Sequence, residues 1–257
     1  MSSNALEVLN EHGQPIGVPL TDWQAPLVPA RETLRGRFCQ LEPINAARHA
    51  ADLYYAFTSE PDSGMWTYLP YGPFPNLLSF QRWVEHLSAQ TDPLMYAIID
   101  FRELKAVGVA GYLRITPEHG SIEVGHLNYS PALRRTPAAT EAMFLLMERA
   151  FSMGYRRYEW KCDSLNANSC RAALRLGFKF EGTFRQATIY KGRNRDTSWF
   201  SILDSEWPAI RSVLDQWLSP ANFDEAGKQR VALSQLTADL RRKGVLASSQ
   251  PALPQLG

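Results

Sequence analysis

The sequence predicts a mixed α/β domain: a mostly antiparallel seven-stranded sheet with helices on both faces. Three observations predict it. Strand-like and helix-like segments follow one another in the order strand, two helices, three strands, helix, strand, helix, two strands. The three middle strands are joined by short polar turns, which suit antiparallel pairing. Amphipathic helices on either side of that run must bury their apolar stripes, so both sheet faces become covered.

Each element has a local cause. Residues 1–31 carry scattered Gly and Pro without a period and are expected to form an N-terminal arm. Residues 34–43 alternate as a first strand, and residues 45–58 place Ala47, Ala50, Ala51, Tyr54 and Phe57 at helical spacing. Residues 65–74 form an aromatic loop, with Pro70, Gly72, Pro73 and the following Pro75 excluding a regular element. Residues 77–90 put Phe80, Trp83, Val84 and Leu87 on one helix face. Strands over 95–100, 106–115 and 121–129 are separated by turns at 103–105 and 117–120. A helix over 137–153 has Thr136 as N-cap, Ala142, Met143, Leu146 and Ala150 in its stripe, and Gly154 as its stop. A strand at 158–162 and a helix at 168–176 ending on Gly177 follow. Two last strands, 180–190 and 197–204, flank a charged tip at 191–196 that is expected to be solvated or else to contact a protein acceptor. The expected division is an arm over 1–31, a domain over 32–207, and a helical extension with a disordered Ser/Gln/Pro tail over 208–257.

Composition narrows the function classes. Hydrophobic residues make up 45% of the 257 and charged residues 21%, which suits a folded core. A net charge of +1 gives no general pull toward nucleic acid or an anionic membrane, so any anion site must be local. Cys39, Cys162 and Cys170 match no zinc or thioredoxin spacing and are expected to be small buried residues in a reducing compartment. The first ten residues lack a basic patch followed by an apolar run, and no stretch has the length of a membrane span. A cytoplasmic location is expected, with no metal.

The segment from Glu123 to Glu141 is the most informative. A strand ends near Tyr129, a basic turn follows, and a helix begins at Pro137. A helix N-terminus offers unpaired N–H groups and partial positive charge, which together bind phosphate. Arg134 and Arg135 add full charges, Thr136 and Thr140 carry hydroxyls, and Ala138 and Ala139 let a ligand approach the backbone. The same pattern also describes a basic turn before an ordinary core helix.

This segment resembles motif A of the GNAT acetyltransferases, Gln/Arg-x-x-Gly-x-Gly/Ala, with Arg134, Pro137 and Ala139 at the matching positions. Asn166 to Ser169, continuing to Leu176, Gly177 and Phe178, resembles the family's motif B. Residues 66–74 and the run Asp204, Ser205, Glu206, Trp207 resemble the RimJ/RimL branch, which acetylates protein N-terminal and other amines. The resemblance covers residues 32–207. It implies a GNAT fold with a splayed fourth strand and acetyl-CoA as co-substrate, its diphosphate cradled by the 134–140 turn. It further implies an amine acceptor, with neither nucleic acid nor membrane as partner, and leaves a homodimer open. Two departures stand out. Pro137 replaces a glycine and removes one N–H, although proline suits the first helical position. Ala173 occupies the place of the tyrosine that protonates the leaving thiolate in many relatives. Both keep open a second reading, a non-catalytic acyl-CoA-binding module.

Under the first reading, the acceptor must attack as a neutral amine. An α-amine with pKa about 8 is roughly a tenth neutral at pH 7, a lysine far less. Glu123 is the candidate general base, acting through water, against the alternative of an exposed strand carboxylate. His126, three residues on, is expected on the opposite strand face. Backbone N–H groups of Leu127, Asn128 and Tyr129 are candidates to hold the thioester carbonyl. Asn166 and Ser169 are candidates for the pantetheine amides or the leaving sulfur, or else plain helix-start residues. Cys170 lacks a histidine partner and is not expected to act as nucleophile. Trp66, Tyr68, Tyr71 and Phe74 either line the acceptor pocket or cover the core.

Overall fold

Strand pairing explains most of the architecture. In the computed structural model, which describes residues 8–60 and 63–244, β1 (Val8–Leu9) and β2 (Pro15–Ile16) form a small hairpin in the arm. The main sheet contains β3 (Leu34–Arg35), β4 (Cys39–Pro43), β5 (Leu94–Asp100), β6 (Lys105–Thr116), β7 (Ser121–Tyr129), β8 (Arg157–Asp163), β9 (Lys179–Tyr190) and β10 (Arg193–Leu203). Their order is β3-β4-β5-β6-β7-β8-β10-β9, antiparallel throughout except for the β7–β8 pair.

The sheet has eight strands where seven were expected, because the segment over 34–43 turns back on itself. The cause lies far along the chain. The buried Glu141 carboxylate accepts hydrogen bonds from the Arg37, Phe38 and Cys39 amides at 2.8, 2.6 and 2.9 Å. Gly36 is required beside it, since a Cβ there would stand 2.4 Å from the carboxylate carbon.

Helices cover both faces as expected. On one side, α1 (Ala46–Phe57) is capped by Asn45 and α2 (Leu77–Ser88) by the reciprocal Asn76–Ser79 box. They bury Leu53, Phe57, Phe80 and Val84 against Met95 and Val109. On the other side lie α3 (Pro137–Ser152) and α4 (Ala167–Arg175), with α5 (Trp207–Leu218) and α6 (Leu233–Arg242) beside them. Ile210 and Leu214 of α5 are fully buried in the same cluster as Leu146 and Phe178, each burial stabilising by about 1.5–3 kcal/mol. Arg241 of α6 donates to the Leu174 carbonyl at 2.6 Å. Residues 208–242 thus carry two helices that pack into the domain, while the predicted Ser/Gln/Pro tail lies outside the described residues.

The β7–β8 pair positions the site. Its parallel ladder runs only from Ser121 opposite Arg157 to Val124 opposite Trp160. Beyond that rung β7 stays with β6 and β8 with β10, so the two strands part. A bulge accompanies the parting. From Gly125 to Asn128 β7 advances three residues while β6 steps back two, from Gly111 to Val109. His126, at φ 53°, occupies this bulge.

Candidate active site

A cavity of about 490 Å³ opens where β7 and β8 separate, within the size range of small-molecule sites. Glu123 to Leu127 line one wall and Trp160 to Asp163 the other. Met65 and Tyr68 of the aromatic loop, with Phe184 and Ala187 to Tyr190 of the β9–β10 hairpin, close over it. The hairpin tip is not simply solvated. Lys191 Nζ donates to the Trp66 carbonyl at 2.8 Å, and Arg193 donates to the Thr67 carbonyl at 3.1 Å. Tyr68 OH donates to the Leu165 carbonyl at 3.1 Å, tying the same loop to the segment before α4.

Glu123 is buried in this wall, which removes the exposed-carboxylate alternative. Its Oε2 pairs with Arg114 at 2.7 Å and with Lys161 at 2.8 Å. Its Oε1 has no hydrogen-bond partner among the described residues and lies on the Gly125 side. Burial holds the carboxyl above the usual range, with Lys161 and Arg114 opposing it. Lys161 also pairs with Glu159 at 2.8 Å and sits 3.6 Å above the Trp199 ring. Sequence reasoning missed Lys161 and Arg114, which carry no motif; only the register brings them onto Glu123.

The bulge corrects one expectation. One extra residue restores the parity that three residues would break, so His126 lines the same cavity as Glu123. Its Nδ1 lies 3.0 Å from Tyr71 OH. Of the four aromatic candidates, Tyr68 lines the cavity and Tyr71 reaches it through His126. Trp66 is buried in the cluster of Phe57 and Phe80, and Phe74 packs against it; both border a separate cavity of about 200 Å³ and do not line the one between β7 and β8.

Asn166 caps α4, its Oδ1 accepting from the Ser169 amide at 3.1 Å, and both residues line the cavity. Ser169 Oγ accepts from Trp160 Nε1 at 3.0 Å, and its hydroxyl hydrogen-bonds the Cys162 sulfur. Ala173 is buried in the core and offers no acid. Cys162 and Cys170 are buried free thiols with their sulfurs 3.6 Å apart, a pairing that their spacing did not suggest.

The turn before α3 is the candidate anion cradle. Arg134 N–H goes to the Ser130 carbonyl, Thr136 N–H to Leu133, and Ala139 N–H to Thr136 Oγ1. The amides of Arg135, at φ 62°, Ala138 and Thr140 have no partner among the described residues, so donors remain despite Pro137. The arginine heads differ. Arg134 Nε donates to the Tyr129 carbonyl at 2.9 Å and its guanidinium stands 3.7 Å from Glu60, whereas Arg135 makes no ion pair among the described residues. The threonine expectation is corrected in part. Thr136 commits its hydroxyl proton to the Leu133 carbonyl, and Thr140 is buried, accepting from Arg175 at 3.1 Å. Leu127 lines the cavity, while Asn128 turns into the interior with its Nδ2 unpaired and Tyr129 buries its hydroxyl. The open amides, the nearby guanidiniums and the parted strands fit the diphosphate and the amide-bearing arm of a coenzyme A thioester. Among the described residues no cluster of three or more His, Cys, Asp or Glu residues could hold a metal ion, and no helix is long and apolar enough to cross a membrane.

Comparison with known proteins bears on the same region. The family description "Acetyltransferase (GNAT) domain" matches residues 39–179. The crystal structure of a GCN5-related N-acetyltransferase from Brucella melitensis is 44% identical, with a TM-score of 0.83 over 85% of this chain and 100% of that one. An uncharacterized N-acetyltransferase p20 of Bacillus licheniformis is 26% identical over 161 residues, 61% of this chain and 89% of that protein. RimL, a ribosomal L7/L12 alpha-N-protein acetyltransferase, is 19% identical with a TM-score of 0.58 over 67% of this chain and 94% of that one, a likeness of fold alone.

Proposed function

Because the chain belongs to the GNAT acetyltransferase family, we propose that it moves the acetyl group of acetyl-CoA directly onto a primary amine, borne by a protein N-terminus or a small molecule. The observation that carries this reading is the cavity at the parted strands, with Glu123 Oε1 left open beside the bulge. Bound acetyl-CoA supplies an acyl group already activated as a thioester. The chain's own residues do the rest. Arg134, Arg135 and the Arg135 and Ala138 amides hold the diphosphate. The edge of β7 from Gly125 to Leu127, no longer paired with β8, takes the amide-bearing arm. Glu123 accepts the amine proton through a water, and Ser169 hydrogen-bonds the departing sulfur. No covalent enzyme intermediate is needed, consistent with the burial of all three cysteines.

The closed roof supports an acceptor amine on a slender stem, such as a small amine or an extended chain terminus, over one set in a folded surface. Residues 66–74 and 204–207 support a place near the RimJ/RimL branch. Buried free cysteines support a reducing compartment. The test is thiol release from acetyl-CoA across a panel of small amines and peptide N-termini. Turnover on slender amines is expected. Coenzyme binding without turnover on any member would favour the non-catalytic module instead.

A further inference from the structure

Tyr71 and His126 form a pair that the chemistry above leaves unused. Tyr71 OH lies 3.0 Å from His126 Nδ1, and the two ring planes are within 11° of parallel, their centroids 5.6 Å apart. Trp83 packs on Tyr71 at 4.7 Å between ring centroids, fixing the phenol in place. Burial pushes the Tyr71 phenol far up, so at neutral pH it keeps its proton and can donate it. Its one acceptor among the described residues is His126 Nδ1.

Two consequences follow for the imidazole. With Tyr71 donating, Nδ1 carries the lone pair, so the single proton of the neutral ring sits on Nε2. The ring is neutral because burial lowers its pKa, Arg114 of β6 adds to this, and Asp92 opposes it. Glu123 of β7 and Lys161 of β8 also face the cavity, but they pair with each other. Nε2 itself has no partner among the described residues and is not among the sealed polar atoms, so its N–H is open to the cavity. The bulge therefore presents a donor at His126 next to an acceptor at Glu123.

We propose that His126, held by Tyr71 with its proton on Nε2, donates a hydrogen bond to the carbonyl oxygen of the acyl group in this cavity and does not act as a general base. The proposal rests on the acetyl-transfer reading. As the amine nitrogen bonds to the carbonyl carbon, the carbon–sulfur bond breaks and the sulfur leaves as thiolate. The amine proton passes through water to Glu123, and His126 keeps its own proton throughout. A fixed neutral donor suits this task because negative charge builds on that oxygen while nothing titrates.

Long-range proton–nitrogen NMR of ¹⁵N-histidine protein reads the tautomer without any activity, with His126 assigned by its loss in His126→Gln. The expected result is a neutral ring protonated at Nε2. In kinetics, His126→Ala should lower kcat about 100-fold. His126→Gln, which keeps an N–H donor but cannot titrate, should recover at least about tenfold of that loss. A Tyr71→Phe change should release the ring, giving a mixed tautomer and a lower kcat with little change in the acetyl-CoA KM. A ring protonated at Nδ1, or equal losses in the Gln and Ala variants, would overturn the donor role while leaving acetyl transfer intact. If calorimetry on folded wild-type protein finds no coenzyme A binding, the acetyl-transfer reading itself falls, and the proposed donor role falls with it.

Discussion

Glu141→Gln tests the device that ties α3, and with it the anion cradle, to the edge of the sheet. The wild-type carboxylate accepts three amides, two on Oε2 and one on Oε1, with no water-exposed alternative at 5% exposure. Glutamine can place its single carbonyl oxygen where Oε2 stands and keep the Phe38 and Cys39 bonds. Those bonds then lose their ionic character, at roughly 0.5–1 kcal/mol each. Its NH₂ must take the place of Oε1 and face the Arg37 N–H, leaving a buried donor against a donor at roughly 1–3 kcal/mol. The sum is about 3 kcal/mol, which for a domain of this size corresponds to a fall in Tm of roughly 6–12 °C. Differential scanning calorimetry measures it directly. A Tm within about 1 °C of wild type would refute the reasoning, because the carboxylate would then be replaceable by any acceptor of its shape. Coenzyme affinity should fall as well, since the Pro137 end of α3 is positioned by the same contact.

The remaining predictions concern the site. Arg135→Ala should raise the acetyl-CoA KM about tenfold with kcat unchanged, and Arg134→Ala should do so less, because Arg134 is already engaged with Tyr129 and Glu60; steady-state kinetics at low salt would expose the reverse order. Glu123→Gln should lower kcat about 100-fold. Burial raises the Glu123 pKa, and a base works only when ionised, so wild-type activity is lost as pH falls through that raised pKa; the variant should lack that acid limb in a pH–rate profile. Replacing Lys191 and Arg193 together with Ala removes both bonds from the hairpin tip to the aromatic loop. Turnover on bulkier amines should then rise relative to slender ones in a competition assay, and an unchanged ratio would exclude the roof as a selector.

Much of the fold was legible because its causes are local. Asn45 and Asn76 cap helices, Thr136 and Pro137 start one, and Gly177 ends another, each through groups within a few residues of one another. Alternation and helical stripes report burial on one face, so the element order and the two-sided covering of the sheet could be read from them. The basic turn at residues 134–136 was visible for the same reason, and with it the region where coenzyme binding is proposed. What the sequence could not determine depends on contacts distant in the chain. Glu141 folds back residues 36–39 from more than a hundred positions away, and Gly36 is the one local sign of that turn in the segment over 34–43. Arg114 and Lys161 meet Glu123 only through strand register, and one extra residue in β7 carries His126 to the cavity that Glu123 lines. A bulge of that kind leaves no trace in alternation, because it is imposed by pairing with β6 and by the parting from β8. Tertiary structure alone decided which polar groups face one another, since a hydrogen bond or ion pair forms through space between atoms whose separation along the chain does not constrain it.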